Sequence, residues 1–163
     1  MHLNTSTETS EFCCDSIAHW WAQHGSTHYP GAKGLLVLCD GAAPTRRIAM
    51  CFKDALQNLA DRLGLEIRIA HYLPYCSKQN PIEHRLFALV TRVCQGVTFH
   101  TLYIARQFMS KAKTSTGLKV TAEVLGGVYV KGKKVAADFL VNMRSVFDEH
   151  LPRWNYRAVP ANG

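Results

Sequence analysis

Leu35-Leu36-Val37-Leu38-Cys39 is an unbroken apolar run that stops on Asp40 and Gly41. A run without alternation suits a strand buried on both faces, as in a parallel or mixed sheet. After it, Pro44-Thr45 opens a segment in which Ile48, Phe52, Ala55, Leu56, Leu59 and Leu63 recur at helical period, and Gly64 stands where a C-terminal cap belongs. Leu65 to His71 then alternates apolar and polar residues, a strand signal that runs into a proline-containing loop. Strand, helix and strand within residues 34–71 predict a β-α-β unit, whose crossover is right-handed in nearly every case. Ligands of open α/β sheets gather at the carboxyl ends of the strands. Asp40 and His71 therefore stand where chemistry is expected.

The remaining periodicities are shorter. Residues 1–10 are rich in Ser and Thr and are expected to fray. Phe12, Cys13, Ile17, Trp20 and Trp21 predict an amphipathic helix over 11–24 ended by Gly25, with the two indoles read as core and not as base-stacking groups. Residues 81–94 predict a helix with Ile82, Leu86, Leu89, Val90 and Val93 on one side, and a further helix is expected over 100–112. Leu118 to Val124, Gly126-Gly127 and Val128 to Lys131 have the alternation and two-glycine turn of a β-hairpin. Arg153-Trp154-Asn155-Tyr156 gives no clear signal.

With 163 residues, 47% of them apolar, the chain can build the core of one domain. No run approaches the roughly 18 apolar residues of a membrane span, and the first fifteen residues are polar and acidic, so a cytoplasmic protein with no membrane contact is expected. The six cysteines form no C-x-x-C pair and are read as reduced packing residues. The eight histidines are scattered, with no pair at ligand spacing.

The chemistry rests on two carboxylates. Asn80-Pro81-Ile82-Glu83 is a helix start with Asn80 at the N-cap and Glu83 as third helical residue. There a Glu serves either as half of a capping box or as an acid aimed into the strand-end crevice. Asp40 has the same two readings, bonding the backbone of its own turn or ligating a cation. Acids on different elements that converge can bind Mg²⁺ or Mn²⁺, hard ions that take one or two carboxylates and leave room for substrate phosphates. No Gly-rich phosphate loop with Lys-Ser/Thr is present, which argues against nucleotide hydrolysis. His71 is placed to approach such a site as an acid/base group.

Charge suggests an anionic partner for the C-terminal part, with nucleic-acid binding and a merely basic soluble surface both open on charge alone. Residues 100–163 hold ten Lys/Arg against four Asp/Glu, whereas residues 1–99 hold nine against eight, so nearly all of the net charge of +7 lies toward the C-terminus. Lys78, His84 and Arg85 flank Glu83 and are candidate phosphate contacts. Lys111, Lys113, Lys119, Lys131, Lys133 and Lys134 are stronger candidates, because four of them lie on or beside the expected hairpin.

Taken in order, Ser10-Glu11-Phe12 to Trp21, Leu38-Cys39-Asp40-Gly41, Leu59-Ala60-Asp61 with Gly64-Leu65-Glu66-Ile67, Ser77-Lys78 to Phe87, Thr116-Gly117-Leu118-Lys119-Val120 and Trp154-Asn155-Tyr156 resemble the Rhodopirellula-type DDE transposases of bacterial insertion sequences. That family is similar to the ribonuclease-H-like nucleotidyl transferases. The resemblance implies a mixed sheet with flanking helices and an Asp, Asp, Glu triad that binds two Mg²⁺ ions for hydrolysis and transfer of DNA ends. Asp40 then corresponds to the second acid and Glu83 to the third, both as catalytic and metal-binding residues.

Three departures shape the expectation. Gly41-Ala42-Ala43-Pro44-Thr45-Arg46 replaces a glycine-rich turn with Ser and Asn, and Gln79 stands where relatives favour an aromatic. The first acid belongs on a strand upstream of the helix that begins near Glu11, and ten residues precede that helix. The resulting expectation is a truncated ribonuclease-H-like α/β sheet over 11–98, after a flexible 1–10, with a basic helix and β-hairpin over 99–163 of the same domain. Metal binding is expected to be weak or absent, strand transfer to be lost, and an uncovered sheet edge and face to favour self-association. The alternative is a non-catalytic DNA-binding or regulatory protein acting with an intact transposase. A stand-alone nuclease would need Glu8, Glu11 or Asp15 as substitute acid.

Overall fold

The computed structural model describes residues 1–40, 46–73, 76–132, 139, 143–152, 154–161, without the side chains of 46–48 and 77. Its N-terminal elements are β1 (His2–Leu3), α1 (Ser10–Trp20), α2 (Ser26–His28), β2 (Gly34–Cys39), α3 (Arg46–Leu63) and β3 (Glu66–His71). Then come α4 (Ala88–Cys94), α5 (Leu102–Met109), β4 (Glu123–Val124), β5 (Ser145–Phe147) and β6 (Asn155–Ala158).

The expected β-α-β unit is present. Strands β2 and β3 pair in parallel with Leu35 opposite Ile67 and Val37 opposite Ile69. Helix α3 stops because Gly64 turns to a positive φ of 64°, a conformation that costs glycine little, and its N–H closes on the Ala60 carbonyl at 2.9 Å. Pro44 and Thr45, where the sequence places the opening of this helix, lie outside the described residues.

The sheet runs β2-β3-β6-β5, with β6 antiparallel to both of its neighbours. The segment around Trp154, silent in sequence, thus supplies a central strand. Its hold on α3 is polar as well as apolar. Buried Gln57 donates to the Val159 carbonyl at 2.8 Å and accepts the Arg144 N–H at 3.0 Å. The molecule is α/β, with a mixed sheet and flanking helices compatible with a ribonuclease-H-like arrangement.

One face of the sheet holds the core. Leu56 and Leu59 of α3 are fully buried with Ile67 and Ile69 of β3, and Ile17, Ala18 and Trp21 pack against this cluster. The other face is open, contrary to the expectation that β2 is buried on both sides. Leu36 and Leu38 are 62% and 54% exposed. No described element covers them, and β2 has a neighbour on one edge only among the described residues.

Three further expectations are corrected. Gly25 does not end the first helix; it lies in a wide, π-helical turn over Trp21–Gly25 that continues into α2. A Cβ there would stand 2.3 Å from Cε3 of Trp21, so glycine makes room for the indole. The helix expected over 100–112 is confined to Leu102–Met109, started by Thr101, whose Oγ1 accepts the Ile104 N–H at 3.2 Å.

The β-hairpin does not form. Glu123 and Val124 pair in parallel with His2 and Leu3, while Val128 and Val130 are 84% and 57% exposed. A two-residue hairpin turn of the I′ type needs positive φ at both central positions. Gly126 and Gly127 are not among the glycines with positive φ, so the turn chemistry is absent despite its composition. A smaller reversal at Thr114–Gly117 brings Lys113 opposite Lys119 instead.

Candidate functional site

Asp40 leaves β2 at its carboxyl end, where the Tyr72 N–H still bonds the Cys39 carbonyl at 2.9 Å and keeps the β2 and β3 ends together. Its carboxylate is exposed. On the facing loop, Ser77–Gln79 makes one tight 3₁₀ turn before the chain turns helical at Pro81. Asn80 sits between the two. Its Oδ1 accepts the Ile82 N–H at 3.3 Å, as an N-cap does, and its Nδ2 donates to Asp40 Oδ1 at 3.2 Å. One amide therefore starts the helix and ties that helix to the strand end.

Glu83 opens a π-helical turn over Glu83–Phe87, ahead of α4. Such widened turns recur at functional positions. The Glu83 N–H bonds the Asn80 carbonyl at 3.1 Å, so Asn80 caps without help from the Glu83 side chain. Among the described residues the Glu83 carboxylate has no hydrogen-bond partner, and the capping box that the sequence allowed is not made. His84 accounts for the loop below it, its Nε2 lying 2.8 Å from the Lys78 carbonyl, which requires the proton on that nitrogen.

His71 has a packing role. Its Nδ1 donates to the Trp154 carbonyl at 2.8 Å, and its ring lies 5.9 Å from that of Tyr156. It shares the Asp40 end of the sheet through its pairing with Cys39. Burial pushes the Cys14 thiol above its usual range and that of Cys39 up to about 11, so neither offers a thiolate at neutral pH. None of the six cysteines is in a disulfide.

The basic candidates are surface groups. Lys78, His84 and Arg85 are exposed beside Glu83, and Lys111, Lys113, Lys119 and Lys131 are exposed in the C-terminal part. Lys111 stacks its ammonium 3.9 Å from the Phe108 ring centroid. Lys133 and Lys134 lie outside the described residues.

Sequence spacing missed one cluster. His19 Nε2 lies 2.7 Å from Glu123 Oε2, and the His2 and His19 rings meet edge to face at 5.0 Å. Donor atoms of His2, His19 and Glu123 all fall within 4.8 Å of one another, the single such group of three or more among the described residues. Asp40 and Glu83 do not belong to it.

A family model for the Rhodopirellula transposase DDE domain matches residues 1–160. No curated protein and no solved structure matches the chain. Among the described residues, no helix is long and apolar enough to cross a membrane.

Proposed function

This chain belongs to the Rhodopirellula transposase DDE domain family, whose members act in DNA transposition, and on that premise we propose that Asp40 and Glu83 are the second and third acids of its nucleotidyl-transfer site. The observation that carries this reading is the Asn80 amide. It caps the helix that bears Glu83 and holds Asp40 at 3.2 Å, leaving the Glu83 carboxylate uncommitted among the described residues.

The donor set suits a hard divalent ion. Mg²⁺ and Mn²⁺ take one or two carboxylates and fill their remaining positions with water and substrate phosphate. An ion held by these two carboxylates would supply Lewis-acid polarisation of a phosphate and activation of a nucleophile. The residues of this chain position the groups around it: Asp40 from a strand end fixed by the closed face of the sheet, Glu83 from a helix start. Lys78 and Arg85, exposed on the same loop and helix, offer cations to the DNA backbone.

A clamp on both attacking and leaving oxygens needs a further acid. Neither Asp40 nor Glu83 has two more candidate ligands within reach among the described residues. On this reading the polypeptide by itself is expected to give little or no strand transfer. The exposed Lys111, Lys113, Lys119 and Lys131 support a second reading, a non-catalytic DNA-binding or regulatory protein that acts with an intact transposase.

Incubation with duplex DNA and Mg²⁺ or Mn²⁺ separates the two claims. No cleavage is expected from this polypeptide alone. Cleavage that vanishes in both Asp40→Asn and Glu83→Gln would show a complete site. Duplex binding is expected to weaken steeply with salt, and binding indifferent to salt would remove the lysines from the account.

A further inference from the structure

We propose that His2, His19 and Glu123 form a second metal site, selective for a borderline transition ion of the Zn²⁺ class, which locks β1, α1 and β4 together. The three ligands come from three separate elements. His2 and Glu123 are register partners in the parallel β1–β4 pair and so share a face. His19 reaches them from the last turn of α1.

The spacing is close to what such an ion needs. Zn–N and Zn–O bonds of about 2.0–2.2 Å at tetrahedral angles set donor atoms about 3.4 Å apart. The His19–Glu123 contact of 2.7 Å has to open by less than an ångström, and every other separation, none above 4.8 Å, has to close by no more than about 1.4 Å. Gln23 Nε2 stands 3.0 Å from the same His19 nitrogen.

The chemistry separates this site from the Asp40 and Glu83 pair. Two imidazoles and one carboxylate suit Zn²⁺, Ni²⁺ or Co²⁺, whereas an all-oxygen set suits Mg²⁺ or Mn²⁺.

A structural need exists for such a lock. The β1–β4 ladder is two residues long, and isolated two-stranded pairs are marginal even when longer. An ion here would fasten the N-terminal segment and the 123–124 strand to α1, whose other side packs on the core. Its role is to hold the fold together.

The test uses the full chain, reduced, titrated with Co²⁺ alone and then with Zn²⁺ as competitor. One equivalent of Co²⁺ is expected to give the visible bands of nitrogen and oxygen coordination, displaced by Zn²⁺, with no thiolate charge-transfer band. His19→Ala and Glu123→Gln are each expected to weaken binding by at least about tenfold, while Asp40→Asn leaves it unchanged. Zn²⁺ should raise the Tm of the wild type and not that of Glu123→Gln, the conservative variant whose fold is checked by circular dichroism. Absence of binding at micromolar ion, equal binding in both variants, or a thiolate band assigning the ion to cysteine would each overturn the proposal.

Discussion

Leu35, Val37 and Cys39 turn toward α1 and α3 and pack on the core, whereas Leu36 and Leu38, on the other face of the same strand, are 62% and 54% exposed. Residue chemistry does not separate the two sets. What differs is that helices cover one face and no described element covers the other. An apolar strand states how many faces are fit for burial, and the fold decides how many are buried. Asp40 closes this strand, so its position is fixed from the core side and bare on the other.

The largest test of the contrast is truncation in the core. Ile69→Ala, at a fully buried site, is expected to cost about 2–5 kcal/mol in urea unfolding, while Leu36→Ala should stay within about 0.5 kcal/mol. Equal losses would mean that the open face is covered in solution. Next comes Gln57→Ala. It leaves the Arg144 N–H without its partner and the Val159 carbonyl with only the 3.4 Å bond from Arg144 Nε, and is expected to cost about 1–3 kcal/mol, loosening the end of the chain on α3, where Asp61 still holds Arg144 and Ala161.

A smaller change is expected at the clasp. Asn80→Ala should cost about 1 kcal/mol, the usual value of an N-cap, and should also loosen Asp40. Asn80→Asp keeps the cap acceptor and loses the donor to Asp40, so it separates capping from clasping. On the open face, paired Leu36→Lys and Leu38→Lys substitutions should leave unfolding nearly unchanged, and if the chain self-associates through this face they should reduce that association in sedimentation, because edge lysines block strand addition. Association unaffected by both would place the contact elsewhere.

Acid sharpens the picture at the His2 cluster. The imidazole of His2 and the carboxyl of Glu123 are both held below their ordinary values. In each case the unfolded chain takes up the proton more readily, so stability falls as pH drops. The decline should begin near about pH 6.5, the ordinary imidazole value, and continue through the carboxylate range. His2→Gln should remove the upper part of the slope and Glu123→Gln the lower part.

The parts legible in sequence were those governed by local rules. The β2-α3-β3 unit follows from hydrophobic period and the Gly64 cap, and the places of Asp40 at a strand end and of Glu83 in a proline-led helix start follow from local signals too. Strand β6 was silent: its four residues, Asn155-Tyr156-Arg157-Ala158, take their register from β3, far back in the chain. The hairpin was misread because Gly126-Gly127 has the right composition without the backbone conformation, and Glu123 finds its partner at His2. The same long-range pairing hid the cluster of His2, His19 and Glu123, since 104 positions separate His19 from Glu123.

The most direct test of the central claim is a Mn²⁺ titration followed by amide NMR. If Asp40 and Glu83 are ligands, signals of residues 38–40 and 80–85 broaden first. Broadening there should vanish in Asp40→Asn/Glu83→Gln, while signals near His19 respond as in the wild type. Broadening that spares both segments, or that persists unchanged in the double variant, would contradict the assignment of these two acids to a metal-dependent transferase site.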